Sequence, residues 1–327
     1  MKKILIDTDT ASDDAVALLM ALREPSLYVL AITTVAGNVC VEKTTRNALV
    51  SIAYAGTYQP PVFQGMHKPL LREHHDAGFI HGEDGMGDLG TLKAPLAEKQ
   101  PEHAVDAIIR LIRAGAGDIE IAALGPLTNL AMAILKAPKV MRKVPRVTIM
   151  GGAAFLGNAN PLAEYNIWED PEAADILFAS GIPVTMVAIE ACRGESMLTA
   201  QEIEHWYACG LPLAKFCMDI NRSLMDLKEK DLGYRALTLP DETAIAVLAR
   251  PDLVAGSFGA YTRVETRASP SALGTTVNDL RTAESHPFYA KRVGTLPQQN
   301  CTVVYQLNSR AFKDYVFSLI AGEGGQT

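Results

Sequence analysis

Asp7, Asp9, Asp13 and Asp14 fall within eight residues near the start of the chain, directly after the apolar run Ile4-Leu5-Ile6. An apolar run, a turn and an amphipathic stretch predict strand, loop and helix. The carboxylates then occupy the carboxyl end of a strand and the first turn of a helix, the edge where open α/β sheets bind ligands. Four like charges this close repel one another unless a cation sits among them. A hard divalent ion with oxygen ligands, Ca²⁺ or Mg²⁺, suits them. Part of the cluster has a plainer explanation: Asp13 and Asp14 would favour the helix macrodipole, and Ser12 would serve as N-cap. That leaves Asp7 and Asp9, following one another on one face of the strand end, for chemistry to account for.

Other strand ends are rich in glycine and amides. Ala36-Gly37-Asn38, Leu124-Gly-Pro-Leu-Thr-Asn129 and Met150-Gly-Gly152 each follow an apolar run, and the last leads to Gly157-Asn158 and Ala163-Glu-Tyr-Asn166. Glycine permits close backbone approach, and Asn and Glu offer several donors and acceptors for hydroxyl groups. Each segment alone reads as an ordinary turn; together they suit a sugar-like ligand.

The elements that must position these residues alternate. Strand patterns at 28–35, 62–63, 119–124, 147–150 and 183–189 interleave with helical patterns at 41–55, 103–114, 127–135 and 171–179, the last opened by Pro171. Alternation of this kind predicts a mostly parallel sheet with helices on both faces and its strand ends along one edge. Residues 199–227 read as helix-rich with a break at 210–212, and the charged stretch 228–239 as a loop. A helix at 241–249, strands at 261–266 and 302–307 and a closing helix at 309–320 follow. With no linker or repeat, residues 1–327 are expected to form a single domain.

Composition narrows the function. The chain of 327 residues is 48% hydrophobic, enough for a large core. A net charge of −7 gives no general attraction to nucleic acid or anionic membrane. No apolar run is long enough to span a bilayer, and the start passes straight into a strand, which predicts no signal peptide. The odd, scattered Cys40, Cys192, Cys209, Cys217 and Cys301 form no CxxC pair, which predicts free thiols in a reduced, cytoplasmic setting. Cys40 reads as a small buried hydrophobe.

Asp7-Thr-Asp-Thr-Ala-Ser-Asp-Asp14 resembles the DxDxxxDD signature of the inosine-uridine-type nucleoside hydrolases. The resemblance continues through Val35-Ala-Gly-Asn38, His81-Gly-Glu-Asp-Gly85, Ala123-Leu-Gly-Pro-Leu-Thr-Asn129, Met150-Gly-Gly152, Ala163-Glu-Tyr-Asn166, Asp170-Pro-Glu-Ala-Ala174, Val264-Glu-Thr266 and Val277-Asn-Asp279. It implies an open αβα sandwich with a mostly parallel, Rossmann-like central sheet, and a homodimer or homotetramer acting on ribonucleosides. It also implies Ca²⁺ held by Asp9, Asp14, the Thr128 carbonyl and Asp241, with Asp9 activating a water on the cation. Asp13, Asn38, Asn158, Glu164 and Asn166 would grip the ribose, with Met150 packed beside it, and His81 would contact the base. The N-glycosidic bond would open through an oxocarbenium-like state.

One departure stands out. Many members of that family carry His, and some purine-preferring ones Trp, directly before the last metal Asp; this chain has Pro240. Proline neither donates a proton nor stacks like an indole. Tyr165 and the 221–234 stretch, with Arg222, Asp226, Lys228 and Tyr234, are further candidates to meet the base, whereas Trp168 and Trp206 read as packing. Thr10-Ala11 stands where many members have Pro-Gly, a small change in a turn. Two rival readings remain open on sequence: a riboside-binding protein that has lost hydrolysis, and a haloacid-dehalogenase-type phosphatase with Asp7 as nucleophile.

Overall fold

The computed structural model describes residues 1–281, 285–293 and 296–322. Its strands are β1 (Lys2–Thr8), β2 (Leu27–Thr34), β3 (Val62–Gln64), β4 (Ile119–Ala123), β5 (Val147–Met150), β6 (Val184–Val187), β7 (Leu198–Thr199), β8 (Ala236–Leu237), β9 (Val254–Val264), β10 (Thr276–Asp279) and β11 (Cys301–Leu307). Nine of them form one sheet in the order β10-β9-β11-β6-β5-β4-β1-β2-β3, and β7 pairs separately with β8. From β3 to β11 every neighbouring pair is parallel; β9 and β10 close the far edge antiparallel.

The centre of the sheet is buried on both faces, as parallel sheets require. Side chains alternate along β1, so Ile4 and Ile6 join one apolar cluster and Leu5 the other. Over Ile4 and Ile6 lie the helices Ser12–Arg23, Val41–Ala55, Pro240–Ala249 and Ser309–Ala321; over Leu5 lie Ala104–Gly115, Thr128–Lys136 and Pro171–Ala179. This is the predicted αβα sandwich. Helix Ser12–Arg23 is buried from Ser12 to Leu22, which its continuous apolar run allows. It packs against helix Pro240–Ala249, so two residues far apart in sequence, Asp14 and Asp241, begin neighbouring helices.

Three local expectations are corrected. Ser12 is not the N-cap: Ala11 holds that position, and its N–H donates to Asp14 Oδ2 at 3.0 Å. Residues 228–232 are not a loop but the end of helix Arg222–Leu232, which stops at Gly233 with a left-handed φ of 77°. The charge of this stretch reflects one solvated helix face over an apolar one, on which Leu224 and Met225 are buried. Strand β9 begins well before residue 261, and β10 went unrecognised because its Thr-Val-Asn-Asp has too little apolar alternation.

Candidate active site

A cavity of about 480 Å³ opens at the carboxyl ends of the central strands. Its lining includes Asp13 after β1, Asn38 after β2, Leu124 after β4 and Met150 at the end of β5. The site sits where an open parallel sheet places ligands.

Its floor is acidic. One oxygen from each of Asp13, Asp14 and Asp241 lies within 4.8 Å of the others, all three residues being buried. Asp9 sits just behind. Its Oδ2 accepts the Asn38 N–H at 2.7 Å, while its buried Oδ1 has no hydrogen-bond partner among the described residues. A Cβ on Gly37 would stand 2.1 Å from Asp9 Oδ2, and one on Gly125 would stand 2.4 Å from Oδ1. Only glycine lets both backbones close on this carboxylate. Asp14 is braced by the Thr8 hydroxyl at 2.5 Å, the Ala11 N–H and the Asn38 amide at 3.2 Å.

Burial, and then the charge of Asp14, pushes the Asp9 carboxyl well above the usual range; Asp241 is raised the same way, first by burial and then by Asp14 and Asp13. Asp14 rises to about 7, from burial and the charge of Asp13, against the pull of its hydrogen bonds. Such carboxylates ionise together only around positive charge. The donor set is all oxygen, and Asp9 offers an unpartnered oxygen, so these residues fit a hard divalent cation.

Two assigned residues lie elsewhere. Thr128 does not line the cavity: its hydroxyl donates to Asp170 Oδ2 at 2.6 Å, and its carbonyl, at the first position of a helix, belongs to the helical ladder. Leu124, at the end of β4, does line the cavity, and its carbonyl accepts the Asn166 amide at 2.7 Å. Asp7 is buried behind the cavity, with Oδ1 taken by the Thr33 hydroxyl at 2.5 Å and the Asn129 amide at 2.8 Å. Burial, outweighing those bonds, lifts its carboxyl to about 7. It cannot be the exposed nucleophile a phosphatase needs.

The amide side is assembled by β5 and the helix Tyr165–Glu169. Asn166 donates to the carbonyls of Leu124 and Met150, the latter at 3.1 Å. Glu164 caps its helix, accepting N–H groups of Asn166, Gly152 and Ile167; burial still raises its carboxyl to about 7. Asn158 Oδ1 accepts the Tyr165 N–H at 2.9 Å. The loop bearing Asn158 is clamped by the segment that follows β6: Glu190 accepts the N–H groups of Ala154, Phe155 and Leu156, and Arg193 donates to the carbonyls of Leu156 and Gly157. The sequence marks the strand end at Leu124 but not which of its atoms matters, and it gives no sign of Glu190 and Arg193, which act through a loop.

A family model for inosine-uridine preferring nucleoside hydrolases matches residues 4–314. The chain belongs to this family. It is 34% identical over 321 residues to a pyrimidine-specific ribonucleoside hydrolase RihA of Photobacterium profundum, covering 98% of this chain and 99% of that one. It is 38% identical over 268 residues to uridine nucleosidase 1 of Arabidopsis thaliana, covering 81% and 79%. A solved purine-preferring ribonucleoside hydrolase from Gardnerella vaginalis superposes with a TM-score of 0.86 at 29% identity, covering 98% of each chain. The protein is a nucleoside hydrolase, and the carboxylate floor and amide wall are its candidate active site.

Beside the acidic floor, this nucleoside hydrolase cavity is lined by a proline, a histidine and aromatic rings. Pro240 lines it. His81 ends the short helix Gly78–His81, with Nδ1 2.8 Å from Ser12 Oγ and 3.7 Å from Asp13 Oδ1. Trp168, expected to be packing, lines the cavity and rests against His75, their rings 4.9 Å apart. Trp206 is core, against Phe317. The Tyr165 hydroxyl donates to the carbonyls of Gly37 and His75, fastening this part of the wall to the Asn38 loop. Of the four candidates at 221–234, only Lys228 reaches the cavity.

Proposed function

We propose that this nucleoside hydrolase cleaves the N-glycosidic bond of ribonucleosides, giving free base and ribose, with Ca²⁺ as its cation. The observation that carries the reading is one cavity lined by Asp13, Asp241, Asn38, Asn166 and Glu164, with Asp14 grouped beside Asp13 and Asp241 and both Asp14 and Asp9 bonded to Asn38. Asp9, Asp14, Asp241 and the Leu124 carbonyl would hold the cation, with Asp13 beside them. When bound, a divalent cation supplies the positive charge that neutralises the cluster and acidifies nearby water.

The chain's own residues do the rest. Asp9, through its free Oδ1, takes the proton of the attacking water. Asp13, Asn38, Asn158, Glu164 and Asn166 bind the ribose hydroxyls, and Met150 packs on the sugar. Positive charge developing at C1′ as the bond to the base opens is stabilised by the surrounding carboxylates. A positioned base contributes on the order of 10² to 10⁴ in rate.

We further infer that residues 1–327 act as one unit, as a homodimer or homotetramer in a reduced, cytoplasmic setting; five free cysteines suit that compartment. The deciding experiment follows free base and reducing sugar from purine and pyrimidine ribonucleosides, after chelation and after Ca²⁺ is restored. Calcium-dependent release supports the reading and reports base preference. Folded protein with no release from any of them refutes it and favours a riboside-binding role.

A further inference from the structure

We propose that Lys228 takes the place of the missing histidine beside Asp241 as the group that meets the departing base. The inference rests on the N-ribohydrolase reading above and names its leaving-group residue.

Helix Arg222–Leu232 presents Leu224, Leu227, Lys228 and Asp231 to the cavity. The spacing i, i+3, i+4 and i+7 is one helix face, so the cavity wall here is a single stripe. Other cations nearby are engaged. Arg222 faces Asp219 at 3.8 Å, Arg235 pairs with Asp226 at 3.0 Å and Glu229 at 3.2 Å, and Arg193 is bound to two loop carbonyls. Lys228 is half-buried and makes no hydrogen bond or ion pair among the described residues. Its charge is felt at the buried thiol of Cys192, which lines the same cavity.

Lys228 is half-buried beside two leucines, and although Asp231 shares its helix face the ammonium has no bonded partner among the described residues. A ligand acceptor would supply one. Cleavage of an N-glycosidic bond creates that acceptor. The C1′–N bond breaks with its electron pair on the base, water oxygen bonds to C1′, and the water proton passes to Asp9. The base leaves as an anion unless it gains a proton. Lys228 donates one to an acceptor atom of the base and regains it from solvent. Pro240, on the same cavity, has neither an N–H nor a polar side chain to do this.

The test compares two substrates in the Ca²⁺-loaded protein: the ribonucleoside that the wild type cleaves fastest, and p-nitrophenyl riboside, whose nitrophenolate departs without a proton. In Lys228→Met, the kcat ratio of nucleoside to nitrophenyl riboside is expected to fall about 10²-fold. Lys228→Arg, which keeps a charged donor, is expected to recover part of that ratio. An unchanged ratio in Lys228→Met, whether both rates fall together or neither falls, overturns the assignment while leaving the hydrolase reading intact. A wild-type protein that releases neither base nor nitrophenolate overturns the hydrolase reading itself.

Discussion

The side-chain amide of Asn166 donates to the backbone carbonyl of Leu124 at 2.7 Å. The same amide reaches the Met150 carbonyl, so one residue ties the ends of β4 and β5 to the helix Tyr165–Glu169. The proposed sugar-side and cation-side groups are thereby held in a fixed relation.

Asn166→Ala removes that tie together with the proposed ribose contact. Two buried carbonyls lose a donor, which costs about 1–3 kcal/mol of stability. We expect kcat/KM on ribonucleosides to fall by more than that loss explains, about 10²-fold. A sharp drop in melting temperature with unchanged kinetic constants would make Asn166 a structural residue only.

Asp9→Asn keeps the shape that fits between Gly37 and Gly125 but cannot accept a proton. Turnover should fall by at least ~10²-fold with the fold retained. Wild-type-like turnover in this variant would sink the role given to Asp9.

The buried carboxyls set a pH dependence. Asp7, Asp14 and Glu164 are raised to about 7 by burial. A raised acid binds its proton more tightly folded than unfolded, so stability is lost as pH rises from the unfolded value near 4 to about 7. Chelated protein should therefore melt lower at pH 8 than at pH 5. If Ca²⁺ is held by the ionised cluster as proposed, it should raise the melting temperature more at pH 8. Equal increments at the two pH values would contradict a carboxylate-held cation.

Pro240→His restores an imidazole beside Asp241. We expect it to recover at least ~10-fold of the nucleoside turnover lost in Lys228→Met. If the double variant is no faster than Lys228→Met alone, position 240 does not face the leaving group in this chain.

Much of the molecule was legible from residue order. Apolar runs alternating with helical periodicity are local signals, and they marked the parallel strands and most helices. The carboxylates of Asp9, Asp13 and Asp14 were visible because side-chain type and close spacing are written in the chain. Asp241 could be joined to them only through family resemblance, since nothing local links residues more than two hundred positions apart. The antiparallel β10 is not legible because its polar residues lack alternation, and the charged half of helix Arg222–Leu232 reads as loop because a solvated face hides an apolar one.

The chain by itself determined the fold class, the acidic cluster and its oxygen-only chemistry, because these depend on residue type and short-range periodicity. Tertiary structure decided which groups face the cavity. It turned Asp7 and the Thr128 hydroxyl away, into bonds with Asn129 and Asp170, and brought Leu124 and Lys228 to the wall. A backbone carbonyl carries no residue-type signature, and an exposed-looking lysine acquires meaning only when packing aims its helix face at a substrate-sized space.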